Sequence, residues 1–171
     1  MIGTIHASET GVFTLNRHFN APRELLFNVF TDPTHMTHWW RPKGFKVIAA
    51  NMEFTPGGSY HYGLQGPDGS TMWGKMSYRE IVAPERLVFI NSFSDAEGNL
   101  TRHPMSPTWP LELLTRLTFE EQADGTLLTL HWSPLPSATD EERKTFNAAH
   151  ASMQQGWGGT LDQLSTYLAT L

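Results

Sequence analysis

Tyr60, Tyr62 and Leu64 fall on one face of a candidate strand, Met76, Tyr78 and Glu80 on one face of a second, and Leu128, Leu130 and Trp132 on one face of a third, because successive strand side chains point to opposite sides. Turned inward, these faces make an aromatic interior with few polar atoms. Such a lining suits an apolar ligand carrying one or two hydrogen-bonding groups, since tyrosine offers a ring face and a polar tip together. The same rings could equally fill a solid core, and periodicity does not separate the two. Glu80, Tyr78 and Tyr60 also have the chemistry of an acid–base set if they meet in a pocket. An ion pair of Glu80 with Arg79 or Arg86 is the structural alternative.

His35 and His38 stand three apart on a short candidate helix, and His61 or His131 could complete a metal site with them. A stable site needs three or four ligands, and no carboxylate stands at a persuasive spacing, so no metal is expected. Trp39 and Trp40 beside Pro42 either plug one end of the fold or, for Trp40, stack on a ligand. No nucleophile elbow, phosphate loop or dinucleotide glycine motif is present.

The chain has 171 residues, enough for one domain with a core that needs no staple. It contains no cysteine, which removes disulfides, thiol nucleophiles and thiolate metal ligands. With 12 Lys and Arg against 17 Asp and Glu, the net charge is −5, and nothing neutralises a run of phosphates. Nucleic acid is therefore not an expected partner. The start, MIGTIHASETGVFTLNRHF, lacks a basic segment followed by an apolar run, and no segment is long enough to span a bilayer. A cytoplasmic location is the expectation. Charged residues are 17% and aromatic residues 12% of the chain, so many rings must find an interior.

Around these residues the sequence marks out its elements. Gly11 to Phe19 alternates as a first strand, without showing which face is buried. Asn20, Ala21 and Pro22 open a short helix through Leu25, Leu26, Val29 and Phe30, and Thr31 or Asp32 before Pro33 opens a second that runs to about Trp39. Strands are then expected at Phe45 to Phe54, Ser59 to Leu64, Met72 to Ala83, Arg86 to Phe93, Leu111 to Glu121 and Thr126 to Ser133. Their short links carry turn residues and imply antiparallel neighbours. The long link, Ser94 to Pro110, holds Pro104, Pro107, Pro110, Met105 and Trp109, and reads as an ordered loop or lid.

A last helix is expected from about Thr139 to Leu171, capped by Thr139 or Asp140 and, if unbroken, spanning roughly 45 Å. Met153, Trp157, Leu161, Leu164 and Leu168 form one apolar stripe along it. Gly156, Gly158 and Gly159 contradict the helix, each at a cost of about 1 kcal/mol relative to alanine. They make room for a bound molecule or a moving lid, or else they serve close sheet packing or a kink.

Four segments carry a family resemblance: DPTHMTHWWRPKGF (Asp32 to Phe45), FTPGGSYHYGLQGPDGS (Phe54 to Ser70), YREIVAPERLVF (Tyr78 to Phe89) and QGWGGTLDQLSTYL (Gln155 to Leu168). Together they resemble the activator-of-heat-shock-ATPase-like branch of the START-like, or SRPBCC, superfamily, over nearly the whole chain. The stretch from Ser92 to Glu112 resembles a bacterial subgroup of it. The resemblance implies an α+β helix-grip fold (START-like, birch-pollen-allergen-like): a curved antiparallel sheet of about seven strands around a long C-terminal helix, with two short helices after the first strand. Residues 1–171 would form this one domain.

It also implies a cavity of the kind that holds lipids, polyketides and other apolar molecules. The expected occupant is a small hydrophobic or aromatic molecule between the sheet and the Met153 to Leu164 part of the helix. The residues expected to line the space are Trp40, Tyr60, Tyr62, Met76, Tyr78, Phe89, Trp109, Met153 and Trp157. No catalytic residue and no cofactor is assigned. A cyclase-, aromatase- or hydrolase-like enzyme on an apolar substrate is the first alternative and a chaperone-ATPase interaction module the second. Whether the chain forms a homodimer is left open.

Overall fold

The computed structural model describes residues 11–171. In chain order these form β1 (Phe13–Phe19), α1 (Arg23–Thr31), α2 (Pro33–Trp39), β2 (Lys46–Met52), β3 (Ser59–Gln65), β4 (Thr71–Val82), β5 (Arg86–Ser94), β6 (Leu100–Thr101), β7 (Leu113–Gln122), β8 (Gly125–Pro134), α3 (Asp140–Ala148) and α4 (His150–Leu168). Every strand pairing is antiparallel, in the order β1-β8-β7-β5-β4-β3-β2, with β6 paired to β5 alone. The sheet curves around α4 as a helix-grip fold. Among the described residues no helix is long and apolar enough to cross a membrane. The reading of the N-terminus as lacking a targeting segment falls in part on residues 1–10, outside the described residues.

Local chemistry accounts for the element ends. Pro22 precedes α1, and Asp32 caps α2 by accepting the Thr34 N–H at 2.9 Å, with Pro33 in the first helical position where its missing N–H costs nothing. Thr139 and Glu142 form a reciprocal capping box at the start of α3. The face of β1 left undecided by the sequence is settled: Phe13, Leu15 and Phe19 are buried, and Arg17 on the same face reaches α4. There it donates to the Gly158 carbonyl at 3.3 Å and pairs with Asp162. One end of the sheet's concave face is filled solid by α1 and α2, where Phe27 and Phe30 pack edge-on against Phe119 and Phe30 against Trp39. Each such fully buried ring contributes about 1.5–3 kcal/mol.

Three expectations are corrected. The C-terminal helix is two helices, because Ala149 (φ −101°, ψ 10°) turns its N–H to the Phe146 carbonyl and breaks the i to i−4 ladder. A straight rod cannot follow a curved sheet at both ends. The break lets Phe146 dock against Trp109 and Trp132 while Met153, Trp157, Leu161 and Leu164 still face inward. Secondly, the long link contains β6, which extends the sheet by two residues. Thirdly, Glu80 does not share a face with Met76 and Tyr78. A bulge at Arg79 pairs Tyr78 with Phe89 but Glu80 with Val88, so the alternation slips by one residue and Glu80 points outward to Arg86.

Candidate functional site

Between the sheet and α4 lies a cavity of about 1170 Å³, open to solvent. Its floor comes from β3, β4 and β5 through Tyr62, Leu64, Gly74, Asn91 and Phe93, and its roof from Met153, Gly156, Trp157 and Gly159 of α4. Trp40, at the end of α2, closes one side, and Trp109 and Pro110 of the long loop close the other. The loop is held in place by the Arg102–Glu142 ion pair and a 2.8 Å hydrogen bond between Thr108 and Thr145. Gly74 has a steric reason: a Cβ there would come within 2.4 Å of the Tyr62 ring lying across it.

Of the nine expected lining residues, Trp40, Tyr62, Trp109, Met153 and Trp157 stand in the cavity wall. Tyr60, Met76, Tyr78 and Phe89 stand outside it, in the packed core. The dividing line crosses each strand between alternate positions of one face. Tyr60, Met76 and Phe89 lie on the solid side, where Phe54 packs edge-on against Tyr78 and Phe27, whereas Tyr62, Gly74 and Asn91 lie on the hollow side. Trp40, Trp157, Trp132 and Trp109 form a chain of rings around the hollow, at centroid separations of 5.5, 5.7 and 5.9 Å.

The acid–base set considered from the sequence does not assemble in this wall, since Glu80 faces outward to Arg86 and Tyr60 and Tyr78 lie in the packed core. Burial pushes the Tyr60 and Tyr78 phenols well above their ordinary value of 10, and the neighbouring tyrosines add to the rise. Burial likewise raises Tyr62, opposed by a hydrogen bond from Trp40. All three stay protonated at neutral pH. The one carboxylate in the described wall, Asp162, is paired with Arg17. Of the four histidines weighed as ligands, His35 and His38 share Tyr167, His35 Nδ1 meeting its hydroxyl at 2.6 Å and His38 stacking on its ring, whereas His61 Nε2 meets the Asp95 carbonyl at 3.0 Å. His131, on β8, is opposite Thr14 and Arg116. Among the described residues no group of three or more His, Cys, Asp or Glu is placed to hold a metal ion.

The helix glycines face open space. A Cβ on Gly156, Gly158 or Gly159 would meet no atom within 4 Å, and α4 runs through them unbroken. Neither tight sheet packing nor a kink accounts for them. Replacing Gly156 and Gly159 by alanine is expected to stabilise the fold by about 2 kcal/mol in total, raising Tm by about 4–8 °C for a domain of this size. Thermal unfolding of the double variant checks it, and an unchanged or lower Tm would show that these positions carry a structural demand.

Two histidines near the cavity are held neutral. Burial lowers both His103 in the wall and His150 beside it from the ordinary 6.5, and His150 sits edge-on to Phe13 and Phe146, its Nε2 without a hydrogen-bond partner among the described residues. The unfolded chain therefore binds protons that the folded one refuses. Stability should be complete above about 6.5 and fall as pH drops below it. Tm measured between pH 7.5 and 5.5 should decline, and less steeply in His150→Leu; equal slopes would remove His150 from the effect.

Sequence reasoning missed Asn91. Leu87, Phe89, Asn91 and Phe93 alternate along the inner face of β5, in the middle of the sheet, and asparagine is out of place in such a row. That single polar interruption was the available signal. Its Oδ1 accepts from the Thr115 hydroxyl at 2.6 Å and from Trp132 Nε1 at 3.0 Å.

A model of the family described as Activator of Hsp90 ATPase homolog 1-like protein matches residues 20–169. Several solved structures share the fold. A crystal structure of a Mycobacterium smegmatis protein is 21% identical with TM-score 0.77, covering 98% of this chain and 97% of that one. A solution structure from Arthrobacter aurescens is 23% identical with TM-score 0.80, covering 100% and 94%. One from Aeromonas hydrophila, described as an AHSA1-like protein, is 17% identical with TM-score 0.67, covering 93% and 92%. At these identities the likeness speaks for the fold alone. No curated protein sequence matches the chain.

Proposed function

This chain belongs to the Activator of Hsp90 ATPase homolog 1-like family, within the START-like superfamily, and from that premise we propose that it binds a small hydrophobic or aromatic molecule in the cavity under α4. The observation that carries the reading is the hollow itself: about 1170 Å³ bordered by the linked rings of Trp40, Trp157, Trp132 and Trp109, against the roughly 300–1,000 Å³ of ordinary ligand pockets. A ligand that covers the part of this wall still reached by water is held by the apolar surface it removes from solvent. Trp40, Tyr62, Trp109, Met153 and Trp157 are the contact residues in this reading, with the cytoplasm as its setting and residues 1–171 as one domain. The tryptophan rings that border the hollow support binding as the first reading, with a cyclase or hydrolase as the alternative.

Fluorene, an uncharged planar hydrocarbon, is a direct probe. Tryptophan fluorescence should change saturably on titration, with one site per chain. A linear response with no saturation would overturn the reading, whereas native mass spectrometry of protein purified from its own host should reveal a retained apolar molecule that denaturation releases.

A further inference from the structure

We infer that the preferred ligand is a planar aromatic molecule bearing an uncharged oxygen acceptor, such as a ketone, received by the Asn91 Nδ2 amide donors in the cavity floor. The inference rests on the binding reading above and sharpens it. Trp132 Nε1–H can only donate, so the Asn91 side chain must present its oxygen there, and the Thr115 hydroxyl takes the second position on the same oxygen. With both contacts made, the amide cannot flip. Among the described residues its two N–H donors have no acceptor, and the residue lines the cavity. In the open cavity these donors are within reach of water, and a ligand acceptor that takes the water's place keeps the hydrogen bond in a drier surround, where it is stronger.

The surroundings define the rest of the molecule. Trp132 packs against Trp157 and Trp109, and Trp157 against Trp40, so ring faces and edges border the space above the amide. Phe93, two residues along the inner face from Asn91, adds another ring to the floor. Stacking there favours a flat aromatic body. The floor residues Tyr62, Leu64, Gly74, Asn91 and Phe93 include no cation, the wall's Arg41 and Lys43 coming from the segment after α2, so a full negative charge beside the amide would lose water without gaining a partner. The carbonyl of an aromatic ketone fits both requirements.

Fluorenone and fluorene share one skeleton and differ by the carbonyl, so the ratio of their Kd values isolates the proposed hydrogen bond. Both are titrated by tryptophan fluorescence into the wild-type protein and into Asn91→Asp, which keeps an acceptor for Thr115 and Trp132 but removes the donors. The wild-type preference for fluorenone over fluorene should fall about tenfold in the variant, the size expected when a buried acceptor loses its partner. Asn91→Leu, which introduces neither a charge nor a donor, repeats the measurement, and fluorene binding in each variant reports that the cavity is intact. An unchanged ratio in a variant that still binds fluorene overturns the role of Asn91 and leaves the binding reading standing. If neither compound binds the wild-type protein, both readings fall together.

Discussion

Trp157→Ala is expected to destabilise the protein by about 3–5 kcal/mol, because the ring is 8% exposed and its removal strands Trp40 and Trp132, which pack on either side of it. That is a large share of what holds an ordinary domain folded. The alanine variant alone would therefore confuse lost structure with a lost site. Trp157→Phe keeps a ring on the α4 stripe and withdraws only part of the cavity roof, so it should cost less and still alter the space beside Gly156. Kd for fluorene and Tm, measured on the same preparation, separate the two roles, with Leu168→Met near the end of α4 as control. Weaker binding in Trp157→Phe than in the control, at similar Tm, is the expected result. A lowered Tm with unchanged Kd would make Trp157 a core residue only.

The difference between Trp157 and its neighbours on the stripe shows what a sequence can carry. Helical spacing identified Met153, Trp157, Leu161, Leu164 and Leu168 as one inward face; the first four are buried and Leu168, at the helix end, is half-buried. Spacing could not say that the face runs from a solid region into a hollow one. The same holds on the strands. Tyr60 and Tyr62 share a face by strict alternation, yet one is sealed in the core and the other borders the cavity, because α1, α2 and Phe54 cover only one end of the sheet. Coverage is set by elements distant in sequence, and no local pattern encodes it. The slip at Arg79 is illegible for a different reason: a bulge adds one residue without changing residue types, so Glu80 keeps its apparent place beside Tyr78 while facing the other way. By contrast, the caps, the turns and the antiparallel pairing of strands joined by short links follow from residue chemistry within a few positions and were readable, whereas β1 beside β8 brings together residues as distant as Phe13 and Trp132 and was not.

The break at Ala149 belongs with the features set at a distance, and Phe146 explains it. This side chain is fully buried and meets Trp109, Trp132 and His150 at ring separations of 5.9, 5.8 and 5.5 Å. It thus fastens α3 to β8 and to the loop that closes one side of the cavity. Phe146→Ala should cost about 3–5 kcal/mol, the usual range for emptying a buried phenylalanine site. The loss should not be evenly spread. The loop keeps its Arg102–Glu142 and Thr108–Thr145 contacts to α3, but α3 itself loses its anchor to the sheet. Hydrogen exchange should therefore accelerate first in residues 102–111 and 140–149, while the strands shared by β4 and β5 keep protection close to the new global limit. With that wall loosened, fluorene should dissociate faster from Phe146→Ala than from a variant of equal Tm altered in the solid end, such as Phe30→Leu. Exchange that rises uniformly over the whole chain, with equal dissociation rates in the two variants, would show that Phe146 supports the fold without governing access to the cavity.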